Sequence, residues 1–206
     1  ENVVMDSNKT EHLAEFVRVL ERYVAAIGVR TFAELKDWNL ERTEPILSAF
    51  ERYATKPIIN LESAIHHPCQ AMADMMTIRE KLGTKRKRVL LTWAFHPKPL
   101  PMAVPNSFAL ASAQFGHDLR IAHPKGYELD NELLTEIENR AKENGGSLEI
   151  VNQVDPAFRD VDVVYAKSWG SFRYYGNSNQ DIREREVYRK KWIVDEAKMQ
   201  RTNNAI

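Results

Sequence analysis

Short, nearly unbroken apolar runs recur along this chain and alternate with stretches of helical periodicity. "RVLLTW" (88–93), "DLRIAHP" (118–124), "SLEIV" (147–151) and "VDVVYAK" (161–167) are such runs. A strand that is apolar on both faces must be covered on both faces, and only a parallel sheet between helices does this economically. "AIGVRT" (26–31), "KPIINLE" (56–62) and "WIVDE" (192–196) are predicted as further strands. Helices are predicted over 10–26, 43–54, 68–82, 106–116 and 131–146. The first of these carries Leu13, Phe16, Val17, Leu20, Tyr23 and Val24 on one face, and the third stops at Gly83. The helix at 68–82 and the charged "KRKR" (85–88) mark the boundary between two α/β units.

In open sheets of this kind, ligands sit beyond the carboxyl ends of the strands. That rule selects Arg30, Glu62, His67, His96 and Lys167, each just after an apolar run. In "HHPCQ" (66–70), Pro68 takes the N1 position it prefers. His67 then stands at the N-cap and Gln70 at N3, beside free backbone N–H groups and the positive end of the helix dipole. Such a place suits an anion or a developing oxyanion. The same two residues could simply cap the helix. In "HPKPLP" (96–101), prolines freeze the chain and remove donors. A frozen loop holds His96 and Lys98 at low entropic cost, or is only a rigid surface turn. Lys167 in "YAKSW" (165–169) can meet a carboxylate or phosphate, or lie along the surface. Met72, Met75, Met76 and Cys69 read as packing residues.

Several classes are disfavoured. Lys plus Arg and Asp plus Glu both number 29, so the net charge is zero, which argues against broad binding to nucleic acid or an anionic membrane. No apolar run reaches the roughly 18 residues of a membrane span. Cys69 is the only cysteine, which excludes an internal disulfide and fits a reducing cytoplasm. No dinucleotide fingerprint, P-loop, nucleophile elbow or metal-ligand spacing occurs, so neither a cofactor nor a metal is expected. The sequence opens on Glu1 and closes on "RTNNAI", and an internal segment of a longer chain is the expectation.

"HPCQ", "TWAFHPKPLPMAVPNSF", "HPKGYELD" (123–130), "DVVYAKSW" and "TNNA" follow one another in that order. This series resembles the aspartate/ornithine carbamoyltransferase superfamily over essentially the whole chain. The proline-rich loop and "YAKSW" resemble the branch acting on N-acetylornithine or N-succinylornithine. The resemblance implies two doubly wound parallel-sheet domains, the first only partly present. Residues 1–66 would complete a carbamoyl-phosphate-binding domain, 67–84 would form the interdomain helix, and 85–206 would form an incomplete amino-acid-substrate domain. It implies a cytoplasmic homotrimer with sites at subunit interfaces, working in arginine biosynthesis. Carbamoyl phosphate would bind His67 and Gln70, the catalytic pair, and Glu62, His96 and Lys167 would face the N-acylated ornithine.

The resemblance also implies an upstream arginine motif and a downstream cysteine motif, neither of which is in this sequence. The segment alone is therefore expected to be inactive. At the position of Thr10 the acetyl enzymes carry Glu and the succinyl enzymes Pro. Neutral Thr10 lacks a charge that would repel a succinyl group, which favours N-succinylornithine. Thr10 also fits the cap of the first helix. The alternatives are transfer to free ornithine, a non-catalytic binding or assembly paralogue, and, least favoured, nucleic-acid binding through "KRKR".

Overall fold

The computed structural model describes residues 13–206, together with the backbone of 4–5 and 9–10. A short antiparallel pair, β1 (Val4–Met5) and β2 (Lys9–Thr10), precedes helix α1 (Leu13–Leu20). Strand β3 (Ile27–Arg30) and strand β4 (Ile58–Glu62) form a parallel pair, with helices α2 (Trp38–Glu41) and α3 (Pro45–Tyr53) between them. Their buried cluster is small: Val17, Ile27, Val29, Leu47 and Phe50. The register shifts between Val29 and Arg30, so that Arg30 lies opposite Glu62. The bulge thus places a guanidinium beside a carboxylate at the strand ends.

Helix α4 (Pro68–Leu82) begins on Pro68 and is closed by Gly83 at φ 78°, a conformation glycine adopts without strain. Its inner face, Ala71, Met75 and Ile78, joins the core of the second unit. That unit holds β5 (Arg88–Trp93), α5 (Ala103–Gln114), β6 (Asp118–Ala122), α6 (Asn131–Glu143), β7 (Ser147–Val151), α7 (Val154–Ala157) and β8 (Val163–Lys167). All four strands are parallel, in the order β7-β6-β5-β8. The winding runs from β5 outward to β7, then returns to place β8 on the other side of β5. The switch point therefore lies between β5 and β8. Val89, Leu90, Leu91 and Trp93 of the inner strand β5 are almost fully buried, as their unbroken apolar sequence requires.

Helix α8 (Ser178–Arg185) and α9 (Glu196–Met199) complete the chain, and Ile206 hydrogen-bonds with the backbone of Asp162 and Val164 beside β8. Several expectations are corrected. The first helix ends at Leu20, where i to i−3 bonds tighten the turn and Tyr23 is left exposed. "WIVDE" is not a strand: Trp192 instead plugs the core against Trp93, with ring centroids 6.2 Å apart. Helix α5 starts at Ala103 and takes Pro105 into its first turn, where a missing N–H costs little. Met75 is buried, but Met72, Met76 and Cys69 face outward. Arg86 and Arg88 of "KRKR" are bound to the amino-terminal end of the sheet, through Asp118 and the carbonyl of Asp160. Among the described residues no helix is long and apolar enough to cross a membrane, and no group of three metal-ligating side chains forms.

Candidate active site

At the first unit's carboxyl edge, the Arg30 guanidinium donates twice to Glu62 Oε2, at 3.0 and 3.1 Å. The carboxylate is nearly buried and also lies 3.6 Å from His67 Nε2. That separation is longer than a hydrogen bond, so the imidazole is a charge neighbour of Glu62 rather than locked to it. His67 is the N-cap of α4, yet its side chain makes no capping bond. Its Nδ1 is buried and has no partner among the described residues. Gln70, at N3, does not cap either: its Nε2 donates to Asp74 Oδ1 at 2.9 Å. The capping alternative for both residues is thus overturned. The acceptor on Asp74 fixes the amide nitrogen of Gln70 inward, which leaves the amide oxygen facing away from Asp74.

The loop before α4 is held by α5. Ser107 Oγ accepts from the His67 amide at 2.7 Å, and Asn106 Nδ2 donates to the Ile65 carbonyl at 3.1 Å. The helix that follows the proline loop thus also positions the helix that carries His67.

At the second unit's carboxyl edge, Trp93 of β5 is in register with Lys167 of β8, and the Ala94 amide donates to the Lys167 carbonyl at 3.0 Å. Lys167 thus ends β8 beside the end of β5, and His96 follows three residues after Trp93 in the loop at the same switch point. His96 Nδ1 lies 2.9 Å from the Lys98 carbonyl and 3.1 Å from its amide, so that nitrogen is engaged within the loop whichever tautomer is present. Lys167 is half-buried, and its ammonium makes no ion pair or hydrogen bond among the described residues. Lys167 and Tyr165 are two residues apart and so share one face of β8. Tyr165 stacks on Phe108 of α5 at 3.9 Å and lies close enough to Asp74 to interact with its charge. Burial pushes the Asp74 carboxyl above its usual range, and its Oδ2 has no hydrogen-bond partner among the described residues. The same burial, with Asp74 nearby, raises the Tyr165 phenol.

The structure therefore brings Glu62 and His67 to within 3.6 Å of one another, and places His96 and Lys167 after the ends of two neighbouring strands. The two pairs are linked through Gln70, Asp74 and Tyr165 rather than by direct contact. Thr10 lies in β2, not at the cap of a helix, and its side chain is outside the described residues.

Sequence reasoning missed Asp181 and Arg185 of "SNQDIRER", a polar helix with no apolar stripe. Both are buried: Arg185 Nε donates to Asp181 Oδ1 at 2.9 Å, and Asp181 also accepts from the Tyr127 hydroxyl at 2.8 Å. One signal existed. A loop with prolines at 97, 99 and 101 has few amides of its own, so its carbonyls need a donor from elsewhere. His123, in "HPKGYELD", is buried with Nδ1 2.9 Å from the Pro124 carbonyl, and burial lowers its affinity for a proton.

Known proteins match this chain along nearly its full length. Residues 1–80 match the carbamoyl-P binding domain of aspartate/ornithine carbamoyltransferases, and residues 102–206 match the Asp/Orn binding domain. The N-acetylornithine carbamoyltransferase of Xanthomonas campestris is 41% identical over 98% of this chain and 60% of its own length. The N-succinylornithine carbamoyltransferase of Bacteroides thetaiotaomicron is 38% identical over 98% of this chain and 59% of its own. Acetylornithine transcarbamylase, crystallised with acetylcitrulline, superposes with a TM-score of 0.92 at 40% identity, covering 99% of this chain and 62% of that one. The chain thus spans about three fifths of the length of these relatives.

Proposed function

This chain belongs to the aspartate/ornithine carbamoyltransferase family, and we propose that the full protein carries the carbamoyl group of carbamoyl phosphate to the side-chain amine of an N-acylated ornithine. The δ-amine would attack the carbonyl carbon and form a C–N bond. The tetrahedral oxyanion would then collapse, breaking the C–O bond to phosphate, and the nitrogen would lose a proton. N-acylcitrulline and phosphate are the products.

The observation that carries this reading is the state of the α4 entrance. His67 and Gln70 stand beside a helix N-terminus without capping it, and the His67 Nδ1 is buried and unpaired among the described residues. A buried polar atom with no partner is costly unless a ligand completes it. Such a group, beside the positive end of a helix, suits a developing oxyanion. Gln70, its amide turned by Asp74, offers an oxygen to the carbamoyl NH2. The Lys167 ammonium, unpaired among the described residues, supports recognition of a carboxylate or acyl oxygen on the second substrate, and His96 and Glu62 are proposed to face the same substrate. The neutral Thr10 favours a succinyl over an acetyl group. Assembly as a trimer with shared sites, work in arginine biosynthesis and a cytoplasmic location belong to the same proposal.

The test uses the full-length enzyme with carbamoyl phosphate and each N-acylornithine. His67→Ala should lower kcat about 10²–10³-fold, the effect of losing one oxyanion donor. Lys167→Ala should act mainly on KM for the acylated substrate. An intact kcat in His67→Ala would remove His67 from the mechanism, and absence of N-acylcitrulline from the parent enzyme would overturn the function.

A further inference from the structure

Arg185 is completely buried, although arginine is rarely so. Its guanidinium is directed at backbone on both sides of the switch point. Nη1 donates to the His96 carbonyl at 3.0 Å and to the Lys98 carbonyl at 2.8 Å. It also reaches Ser168 Oγ at 3.3 Å, while Nη2 donates to the Trp169 carbonyl at 3.1 Å. The acceptors therefore belong to the loop containing His96 and to the residues directly after Lys167. Asp181 holds Nε at 2.9 Å, and the rings of Trp93 and Tyr127 each lie 5.6 Å from the guanidinium carbon. Asp181 Oδ2 also accepts from the Ser171 amide at 3.0 Å, which fastens the β8 turn from its far side.

We propose that Arg185 is a positioning residue for the second substrate: it fixes the loop after β5 against the turn after β8 and so sets where His96 and Lys167 stand. This rests on the proposed carbamoyl transfer to an N-acylornithine. Stability alone is a poor account of the arrangement. A buried ion pair stabilises little relative to apolar packing of equal volume, because both charges lose their hydration. What the planar fork provides is geometry: several donors in fixed directions, which lysine cannot reproduce. The proline loop needs such a partner. Pro97, Pro99 and Pro101 remove three amides, and the carbonyls of His96 and Lys98 turn inward to the guanidinium instead. One further tie, from the Gly170 amide to the Leu100 carbonyl at 2.9 Å, joins the same two segments.

Two variants of the full-length enzyme test this. Arg185→Lys keeps the charge beside Asp181 but cannot reach all the carbonyls. Gly170→Ala removes no polar group and presses the same junction from behind, because a Cβ there would lie 3.3 Å from Pro99 Cβ and 3.4 Å from Asp181 Oδ2. In each, KM for the N-acylornithine should rise, by about tenfold or more in Arg185→Lys and about threefold in Gly170→Ala, while KM for carbamoyl phosphate stays within about twofold. Arg185→Lys decides if it folds, and Gly170→Ala decides if it does not. An unchanged KM for the N-acylornithine, or an equal rise for both substrates, overturns the proposal. Hydrogen exchange at the Ala94, Phe95, Lys98 and Leu100 amides reads the clamp without turnover. It should quicken in the deciding variant while β6 is unaffected; unchanged exchange also overturns the proposal. Failure of the functional reading is separate, since it appears as an inactive parent enzyme.

Discussion

The two units of this chain are built on the same pattern but not to the same depth. In the second, four parallel strands lie between helices, and β5 is buried on both faces. In the first, two parallel strands have one helical layer, and Ile59 and Leu61 of β4 stay exposed. Within this segment, which spans about three fifths of its relatives' length, the second unit braces the loop that carries the site. Glu62 and His67 project from the first unit's edge and the α4 entrance, yet the His67 amide is fixed by Ser107 of the second. Order at the site is thus borrowed across the junction.

The largest expected effect lies in the core that lends this order. Leu90→Ala should cost about 2–5 kcal/mol, because the cavity would open in the strand between β6 and β8, where neighbours cannot collapse. Within this 206-residue chain, Leu47→Ala in the first unit should fall at or below the low end of that range, since the buried cluster around it, among the described residues, is small. Urea unfolding of the 206-residue chain measures both. Equal losses would mean the first unit is packed as firmly as the second, and the comparison would fail.

A second effect lies where the units meet away from the site. The Tyr175 hydroxyl donates to Glu41 Oε2 at 2.6 Å, and Trp38 packs against Phe172 at 4.7 Å. Burial alone would raise the Glu41 carboxyl, but the Tyr175 hydroxyl and the amides of Lys36, Asp37 and Leu35 outweigh it and hold it below the ordinary range. A lowered carboxylate contributes stability above its unfolded value of about 4.5, and that contribution is lost as pH falls through the folded value. Tyr175→Phe should cost about 1.5–3 kcal/mol, as for other hydrogen bonds to a charge. Calorimetry should then show the first unit melting earlier, and the acid limit moving upward. A single unshifted transition would show that this contact does not couple the units.

β5 was legible because burial on both faces leaves an unbroken apolar signature, as in "RVLLTW". "SLEIV" and "VDVVYAK" were placed correctly as strands, but β7 and β8 are mostly exposed or half-buried, so the expected cover on both faces holds for β5 and not for them. The α4 entrance was legible because Pro68 and Gly83 punctuate a helix in only one way. The failures have a common cause. "WIVDE" is apolar enough for a strand, but Trp192 serves as a plug for aromatic neighbours, which periodicity cannot distinguish. Arg185 was invisible because a buried polar helix carries no hydrophobic stripe, and its partners are distant carbonyls. Met72 and Met76 were misplaced because α4 has a narrow buried face at Ala71, Met75 and Ile78.

The smallest effect sits in the seam between the units, at Asp74. This carboxyl comes from α4, receives the Gln70 amide on one oxygen, and leaves the other buried and unpartnered near Tyr165. Burial raises its pKa above 3.8, so the folded state holds the proton more tightly than the unfolded chain does. Stability from this group is therefore full below pH 3.8 and falls as pH rises through the folded value, leaving a constant penalty above it. Asp74→Asn removes that penalty while keeping a carbonyl oxygen for the Gln70 amide. The variant should gain in melting temperature relative to the parent as pH rises from 3.8 through the folded value, then hold a constant difference. Its KM for carbamoyl phosphate should stay near the parent's, because Gln70 keeps its orientation. Asp74→Leu removes the same charge but frees the Gln70 amide to turn, so it should match the thermal gain and raise that KM. If Leu and Asn behave alike in KM, Asp74 does not orient Gln70. If the Asn variant shows no pH-dependent gain, the seam does not raise the Asp74 carboxyl, and the second unit lends the site less than its packing implies.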